Sequence, residues 1–331
     1  MGDRLRIGVL GAATITPMAL VRPARQVPAV AIVAVAARDP ARAAAFARRH
    51  GIPRVHPSYA ALLADPEVDA VYNPLPNALH GAWTIPALRA GKDVLCEKPL
   101  AANAEEAEVM ARVAAETGRV LMEAFHWRYH PVAARMRAIV DSGELGTIRH
   151  VEGTMCVPLI RPGDIRYRLD LAGGAMMDAG CYAVSWVRHL AGAEPEVVSA
   201  EARLSSPGVD RWMTADLRFA DGRTGRITCS LLSRTLLRLE ARVVGDRGEL
   251  RVTNPLAPHF FHRIRVTVDG QRRVERAPGE ATYTYQLRAF VAAVRNRTPI
   301  PTDAADGVRT MRVIDAVYRA AGLAPRRPGS P

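Results

Sequence analysis

Apolar residues in the first 123 positions come in short runs, and amphipathic stretches separate these runs. The predicted strands are Arg4–Leu10, Val30–Ala37, Asp69–Tyr72, Lys92–Cys96 and Arg119–Glu123. The predicted helices are Ala41–His50, Leu79–Ala90 and Asn103–Thr117, each followed by a glycine that can end a helix. Strands that alternate with helices indicate a parallel, doubly wound sheet. We therefore predict an α/β domain over residues 1–123.

The pattern changes after Glu123, and from Thr147 onward the segments are strand-like. The predicted strands are Val151–Val157, Val197–Leu204, Met213–Phe219, Thr224–Ser230 and Arg238–Val244. Turn signals such as Asp221-Gly222 and Asp269-Gly270 separate them, which indicates a mostly antiparallel sheet. Three helices are also predicted, at Ala175–Leu190, Tyr285–Arg297 and Ala304–Ala321. We expect a second, α+β domain over residues 124–324 and a flexible tail over 325–331.

The net charge of +12 raises nucleic acid as a partner, but the arginines are dispersed among acidic residues. Aromatic residues make up only 5% of the chain, too few for a platform on which bases stack. No apolar run is long enough to span a bilayer, and the chain starts without a signal-peptide pattern. The cysteines are isolated, which fits reduced thiols and gives no metal-ligand spacing. We expect a cytoplasmic protein that binds neither nucleic acid nor a membrane.

A glycine turn follows the first predicted strand and precedes a helix. Gly11-x-Ala13-x-x-Thr16 keeps only the first of the three glycines of a dinucleotide-binding turn. Alanine can replace the second glycine if the backbone still approaches a pyrophosphate, to which the helix amino end offers N–H groups. From these residues alone, a plain strand-to-helix turn is an equally good interpretation.

The end of the second predicted strand is where dinucleotide folds distinguish NAD from NADP. An acidic side chain there binds the ribose 2′-hydroxyl, an arginine meets a 2′-phosphate, and this sequence has Arg38 followed by Asp39. Asp39 precedes Pro40 and is expected to cap the next helix. Arg38 is then free to face a 2′-phosphate. This favours NADP as the cofactor, and NAD is the alternative.

The segment Val94–Leu100 contains a short apolar run, predicted to be a buried parallel strand whose carboxyl end carries the charged pair Glu97-Lys98. Ligands of open α/β sheets bind at this end of the strands. The chain uses arginine nearly everywhere, and Lys92 and Lys98 are its only lysines. Because a partly buried lysine can shift its proton, whereas arginine stays charged, Lys98 is a candidate for chemistry. A surface lysine paired with Glu97 is the alternative.

A glycine-rich segment, Gly173–Tyr182, opens the helix predicted from residue 175. Asp178 and Tyr182 are four residues apart and therefore share one helical face. A tyrosine beside a carboxylate, with a lysine from the first domain, can transfer a proton to or from an alcohol or carbonyl oxygen. A buried Asp–Tyr hydrogen bond at a helix start is the alternative.

Together these segments resemble the Gfo/Idh/MocA family of oxidoreductases over nearly the whole chain. The first turn, Pro74–His80, Glu97-Lys98-Pro99 and the Gly-Gly-x-x-x-Asp-x-Gly-x-Tyr segment occur in the family's order and spacing. The resemblance implies a dinucleotide-binding domain, then an open-faced sheet that often forms homodimers or homotetramers. Most members have histidine where Tyr182 stands. Tyrosine there is similar to dimeric dihydrodiol dehydrogenases, NADP-dependent xylose dehydrogenases and some sugar-nucleotide ketoreductases.

The resemblance implies an NADP(H)-dependent enzyme that interconverts an alcohol and a ketone on a sugar-like or cyclic polyol substrate. Tyr182 would exchange a proton with the reacting oxygen, which Lys98 would hydrogen-bond, and Asp178 would orient the substrate or hold Lys98. A cis Lys98–Pro99 bond is implied as well. The implied cofactor-binding residues are Gly11, Ala13, Thr14, Ile15, Arg38, Leu75, Pro76, Asn77, His80, Glu97 and Lys98.

Two other classes occur in the family. Some members are hydrolases that oxidise a sugar transiently with tightly held NAD. Others are non-catalytic sensors, such as the galactose-pathway repressor, which bind the dinucleotide as a signal. The presence of both Lys98 and Tyr182 argues against a sensor.

Three arginines, Arg161, Arg166 and Arg168, lie within eight residues just before the Asp178 segment. On a loop that Pro162 stiffens, they are suited to clamp a phosphate or a carboxylate, since guanidinium groups bind such anions through two hydrogen bonds. The alternative is that Asp164 and Asp170 neutralise the cluster in ion pairs. The expected substrate-binding residues are Arg128, Arg166 and Asp178.

Overall fold

The computed structural model describes residues 4–161 and 163–330. Pro162, which is expected to stiffen the arginine-rich loop, lies outside the described residues. The chain divides into two compact units. Unit 1 comprises Met1–His126, Tyr283–Val308 and Pro328–Pro331, and unit 2 comprises Trp127–Thr282 and Arg309–Arg327.

Unit 1 contains a parallel sheet. Within the described residues its strands are β1 (Leu5–Leu10), β2 (Val30–Ala36), β3 (Arg54–His56), β4 (Ala70–Asn73), β5 (Asp93–Cys96) and β6 (Leu121–Glu123). They lie in the order β3-β2-β1-β4-β5-β6, and all neighbouring pairs are parallel. The order reverses between β1 and β4, and open α/β sheets bind ligands at such a switch point. The predicted doubly wound parallel sheet is confirmed.

The helices of unit 1 follow the predicted caps. A π-helical turn, Pro17–Val21, precedes α1 (Arg22–Gln26), and the α-helices that follow it before residue 126 are α2 (Pro40–His50), α3 (Tyr59–Leu63), α4 (His80–Arg89) and α5 (Ala104–Thr117). Asp39 Oδ1 accepts hydrogen bonds from the N–H groups of Ala41 and Arg42 at 2.9 and 3.3 Å, so its predicted capping role is confirmed. Neither β3 nor α3 was predicted from the sequence, because three and five residues are too few for a periodic pattern.

The predicted second domain differs from unit 2, because part of the carboxyl-terminal region belongs to unit 1. That part includes most of α8 (Thr282–Asn296). The Glu123 N–H donates to Thr302 O at 2.9 Å, and the Thr302 hydroxyl donates to Glu123 O at 2.8 Å. Met122 and Asp303 also form an antiparallel bridge. These bonds attach the segment after α8 to the edge strand β6 of unit 1.

Unit 2 is built on a second sheet, which has eight strands when counted over the described residues. They are β7 (Ile148–Cys156), β8 (Glu196–Ser206), β9 (Val209–Arg218), β10 (Thr224–Ser230), β11 (Arg238–Gly245), β12 (Gly248–Thr253), β13 (Arg263–Val268) and β14 (Gln271–Glu275). Their order is β14-β13-β12-β11-β7-β10-β9-β8. The β7–β10 pair is parallel and the other neighbouring pairs are antiparallel. The predicted mostly antiparallel sheet is confirmed.

One helix, α7 (Cys181–Ala191), packs closely on this sheet. A Cβ at Gly153 of β7 would lie 2.5 Å from Ala183 O, so the missing side chain lets the helix backbone approach the strand. Every residue of α7 except His189 is buried. The remaining α-helices of the described residues are α6 (Pro131–Asp141), which was not predicted from the sequence, and α9 (Ala304–Ala320).

Within the segment predicted to be a flexible tail, 325–331, the Arg326 side chain is buried and hydrogen-bonded. This side chain is 2% exposed, and it donates hydrogen bonds to Gly173 O and Asp210 Oδ1. A buried guanidinium with two partners fixes the backbone that carries it, so the prediction of a loose tail is wrong at this residue.

Candidate active site

The turn after β1 has the geometry of a phosphate-binding turn. Gly11 adopts φ +92°, and a Cβ there would lie 3.0 Å from Leu75 Cδ2, so glycine suits this position. Within the described part of the chain, the backbone N–H groups of residues 12–15 meet no acceptor. The Thr16 hydroxyl is also buried without a partner among the described residues. A pyrophosphate would satisfy such N–H groups, so the turn fits a dinucleotide.

A cleft of about 420 Å³ opens beside this turn. Its lining includes Ala12, Ala13 and Thr14 together with basic side chains from two helices, and none of its described lining residues is acidic. The basic residues are Arg22, Arg25, Arg49 and His50. The local charge therefore favours an anion.

Two arginines, Arg38 and Arg42, follow the carboxyl end of β2. Asp39 is engaged as the cap of α2, whereas Arg38 is exposed. Arg42, one turn into α2, donates to Ala12 O at 3.4 Å, which places its guanidinium at the first turn. Burial raises the pKa of Tyr59, and the nearby charges of Arg38 and Arg42 oppose that shift. Arg42 was not among the site residues predicted from the sequence.

His80 has a structural role, and its side chain is not accessible to a cofactor. Its ring is fully buried, with Nε2 2.8 Å from Leu75 O and Nδ1 2.8 Å from Pro99 O. Burial lowers the pKa of His80 to about 4, against the opposing effect of these carbonyls. The imidazole thus ties the loop after β4 to the loop after β5, and the cofactor-contact prediction is corrected here. Pro76 and Asn77 of the same loop are partly exposed and accessible to a ligand.

Glu97 and Lys98 follow β5, as predicted, and the Lys98–Pro99 bond is cis. The Tyr72 hydroxyl donates to Glu97 Oε1 at 2.7 Å, and Glu97 is only 8% exposed. Burial, and next the Glu97 charge, raises the pKa of Tyr72. The Glu97 carboxylate is therefore held from within the unit, while the Lys98 side chain remains partly exposed at the carboxyl end of the strand.

In unit 2, a π-helical turn, Met176–Gly180, leads directly into α7. Asp178 lies in this turn and Tyr182 is the second residue of α7, where its side chain is 4% exposed. Single π-helical turns inside helices are frequent at functional sites. Asp178 Oδ2 lies 2.9 Å from Nε of Arg166. Arg166 belongs to the cluster Arg161, Arg166 and Arg168, here called the arginine wall, and it joins this wall to the turn that carries Asp178.

The arginine wall is largely neutralised by carboxylates. Arg166 lies between Asp178 and Asp164, whose Oδ1 is 3.2 Å from Nη1, and Arg168 is paired with Asp170. The charge of Asp178 is the main cause that raises the pKa of Arg166. This pairing is the alternative that the sequence left open, and it weakens the case for an anion clamp.

Arg128 is turned toward a different part of α7. Its guanidinium contacts His189 Nδ1 and lies 5.6 Å from the centre of the Trp127 ring. His189 is seven residues after Tyr182, which corresponds to about 10 Å along a helix. Burial, and next the Arg128 charge, lowers the pKa of His189 to about 3. Arg128 is partly exposed as well as in contact with His189, so its predicted substrate contact stays a prediction.

Two features are absent from the described residues. They contain no group of three or more His, Cys, Asp or Glu side chains placed to hold a metal ion. None of their helices has the length and apolar character needed to cross a membrane.

Family models match both halves of the chain. The model of the oxidoreductase family with an NAD-binding Rossmann fold matches residues 5–125. The model of the GFO/IDH/MocA C-terminal domain matches residues 133–251. The resemblance found in the sequence motifs is thereby confirmed.

The chain is also similar to individual proteins over nearly its full length. The D-xylose 1-dehydrogenase (NADP(+)) 2 of Haloferax volcanii is 36% identical over 96% of this chain and 97% of its own length. The dTDP-3,4-didehydro-2,6-dideoxy-alpha-D-glucose 3-reductase of Streptomyces violaceoruber is 35% identical over 96% of both chains. KijD10, a 3-ketoreductase from Actinomadura kijaniata solved in complex with NADP and TDP-benzene, superposes with a TM-score of 0.90 at 31% identity. That superposition covers 96% of this chain and 98% of KijD10.

Proposed function

The chain belongs to the Gfo/Idh/MocA family of oxidoreductases, and we propose that it interconverts a secondary alcohol and a ketone with NADP(H). The proposed substrate is a sugar, a sugar nucleotide or a cyclic polyol. The names of the relatives support this range, since they are a xylose dehydrogenase and reductases of a dTDP-linked keto sugar.

The contrast between the two lysines carries the catalytic part of the proposal. Lys92 has a structural role, because its Nζ donates to the carbonyl oxygens of Asp65 and Val68 at 2.8 and 2.6 Å. Lys98 instead stands partly exposed at the carboxyl end of β5. In a chain that otherwise uses arginine, a lysine at the ligand-binding end of a strand is suited to proton chemistry.

NADP(H) is proposed on the chemistry of the first turn and of the β2 end. The open N–H groups of residues 12–15 would hold the pyrophosphate, and Arg38 and Arg42 would hold the 2′-phosphate. Thr14, Ile15, Pro76 and Asn77 would add contacts from the exposed parts of their loops. When bound, the nicotinamide would supply the hydride donor or acceptor.

The remaining chemistry is assigned to side chains of this chain. Tyr182 takes the proton of the substrate hydroxyl when an alcohol is oxidised and returns a proton to the oxygen when a ketone is reduced. Lys98, as ammonium, hydrogen-bonds that oxygen and favours the phenolate form of Tyr182 through its charge. Asp178, oriented by Arg166, accepts a hydrogen bond from a neighbouring substrate hydroxyl.

The ion pairs of Arg166 limit the substrate class. A guanidinium already held by Asp164 and Asp178 has little net charge to offer an anion. The substrate group recognised beside Asp178 is therefore proposed to be a neutral hydroxyl, as free sugars and polyols have.

The test is a binding and turnover series on the purified protein. NADPH and NADH are titrated by fluorescence, and a panel of polyols, sugars and ketones is then assayed for reduction or oxidation of the preferred cofactor. Tight NADPH binding with turnover of a polyol or sugar supports the proposal. Strong preference for NADH contradicts the role of Arg38, and dinucleotide binding without any turnover indicates a sensor. A co-purified NAD that recycles without net reduction indicates the hydrolase class.

Assembly and location are part of the same proposal. Strand β8 forms an edge of the unit 2 sheet. Two of its apolar residues are exposed to solvent, Val198 by 52% of its surface and Leu204 by 42%. We propose that this sheet mediates a homodimer or homotetramer in the cytoplasm, where the buried cysteine thiols would stay reduced. Analytical ultracentrifugation of the parent and a Val198→Lys variant tests the interface, and a monomeric parent contradicts it.

A further inference from the structure

The carboxyl-terminal segment of the chain enters the interior of unit 2 at Arg326. The guanidinium donates from Nε to Gly173 O at 2.7 Å and from Nη2 to Asp210 Oδ1 at 2.6 Å. Its central carbon also lies 4.2 Å from the centre of the Tyr318 ring on α9. The Arg326 side chain is only 2% exposed, so these contacts hold it in the interior of unit 2.

The partner of Arg326, Asp210 on β9, holds the start of the π-helical turn. Asp210 is fully buried, and its Oδ2 accepts the N–H of Met176 at 2.7 Å, while its Oδ1 also accepts the Tyr318 hydroxyl at 3.0 Å. Met176 is the first residue of the turn that carries Asp178. A side chain from a distant strand thus satisfies an N–H group that a helix start leaves open.

Gly173 and Gly174, which precede this turn, leave no room for a side chain. Gly174 adopts φ +135°, and a Cβ there would lie 2.1 Å from Asp210 Oδ1 and 2.6 Å from Arg326 Nη2. A Cβ at Gly173 would lie 2.6 Å from Arg166 O. The absence of both side chains lets the backbone contact the Asp210–Arg326 pair on one side and the arginine wall on the other.

The backbone of Gly174 also connects the Asp210–Arg326 pair to the arginine wall and to Asp178. The Gly174 N–H donates to Arg166 O at 2.8 Å, and the Asp178 N–H donates to Gly174 O at 3.1 Å. Arg166 in turn reaches the Asp178 carboxylate through its guanidinium. The pair, the glycines, the wall and the turn therefore form one continuous network.

We propose that Arg326 and Asp210 are positioning residues, which set the place of the turn bearing Asp178 and of the adjoining Tyr182. The inference rests on the proposed function only in assigning chemistry to those two side chains. The carboxyl-terminal segment thereby becomes part of the active-site architecture. A displacement of about 1 Å at a catalytic group costs roughly 100-fold in turnover, so loss of the pair should lower kcat by about that factor.

Two variants distinguish a role of Arg326 and Asp210 in stability alone from a role in positioning the turn. Arg326→Met alone leaves the Asp210 charge buried and unpaired, which destabilises a fold strongly. Asp210→Leu with Arg326→Met removes both charges with side chains of similar shape, so it should unfold at a higher temperature than the single variant. It still leaves Met176 N–H and Gly173 O without their partners. Arg327→Met, at the exposed neighbouring position, is the matched control.

The holoprotein of each variant is compared in melting temperature, NADPH affinity, kcat and KM. We expect the double variant to regain melting temperature over Arg326→Met, to bind NADPH like the parent, and to keep a kcat about 100-fold below it. Arg327→Met should match the parent in all four measurements. A double variant with parental kcat overturns the inference.

Amide hydrogen exchange over residues 176–182 gives a readout that needs no substrate. Exchange should quicken in the double variant and stay parental in Arg327→Met, while the α5 amides of unit 1 remain unchanged in both. Parental exchange over 176–182 in the double variant overturns the positioning role, whether or not the parent proves to be an oxidoreductase. Inactivity of the parent with every substrate instead refutes the proposed function.

Discussion

Nε of Arg166 lies 2.9 Å from Oδ2 of Asp178, so the arginine wall and the π-helical turn meet in an ion pair. The same guanidinium reaches Asp164 Oδ1 at 3.2 Å through Nη1. Two carboxylates share one guanidinium, and the positive charge available to an anionic substrate is correspondingly small. This relationship favours an Arg166 that orients Asp178 over an Arg166 that clamps a phosphate.

Replacing Arg166 with alanine should lower kcat/KM by roughly 10- to 100-fold, the cost of losing a hydrogen bond to a charged group. Because Arg166 acts on Asp178, the loss should be similar for a neutral sugar and for a sugar nucleotide. Steady-state kinetics on both substrates check this. Arg168→Ala, which removes the exposed pair with Asp170, is the control and should leave kcat/KM unchanged. A loss confined to the sugar nucleotide would point back to an anion clamp.

Lys98→Met and Tyr182→Phe should each reduce kcat by about 100-fold or more, because each removes a group proposed to act in proton transfer. Circular dichroism and the melting temperature should stay near the parental values. Lys92→Met provides the contrast: its Nζ holds two carbonyl oxygens, so it should lower the melting temperature while the folded fraction keeps its kcat. Near-normal turnover in a folded Lys98→Met protein would refute the catalytic assignment.

Arg38→Ala and Arg42→Ala should each weaken NADPH binding by roughly 10- to 100-fold, since each removes a charge-assisted contact to the 2′-phosphate. NADH lacks that phosphate, so its affinity should change little. Fluorescence titration of both cofactors measures the two effects. Arg48→Ala, at an exposed position of the same helix, serves as the control. An equal loss for NADPH and NADH would place the two arginines elsewhere than at the 2′-phosphate.

Glu106 should make the stability of the protein depend on pH. Burial raises the pKa of its carboxyl to about 7 from an ordinary value of 4.5, although the carboxylate accepts the Ala102 N–H at 2.7 Å. Between those two pH values the folded protein binds more protons than the unfolded chain, so the free energy of unfolding falls as the pH rises. The fall amounts to about 1.4 kcal/mol for each unit by which the two pKa values differ.

Glu106→Gln cannot ionise, so its free energy of unfolding should gain on that of the parent as the pH rises through this window. Urea unfolding at the two ends of the window measures the change. Glu105→Gln, at the exposed neighbouring position of α5, should keep the parental pH dependence. If Glu106→Gln also follows the parental curve, the buried carboxyl is not the source of the slope.

The sequence was most informative where local patterns act alone. Apolar runs and capping residues predicted most strands and helices of unit 1, and Asp39 caps α2 as expected, because a cap depends only on its own and the next few residues. It was least informative for short elements. The three residues of β3 and the five of α3 carry too few positions for a period to show.

Motif spacing could identify the candidate site residues but not what each side chain touches. His80 was predicted to face a cofactor and is buried between two loops, and Arg128 was predicted to face a substrate and contacts His189. In both cases at least one partner lies on another element, Pro99 for His80 and His189 for Arg128, at a distance along the chain that no local pattern spans. Arg42 escaped attention for the same reason, since only the fold brings its guanidinium to Ala12 O.

The sequence by itself therefore determined the alternation of strands and helices in the first domain, the family and the candidate chemistry at Lys98, Asp178 and Tyr182, because these follow from periodicity and from short motifs. The tertiary structure alone decided which charges are paired. Arg166 is neutralised by Asp164 and Asp178, and Arg326 meets Asp210 across 116 positions of the chain. A buried charge must find its counter-charge wherever the packed elements bring one near, and that depends on contacts between segments that are remote in sequence.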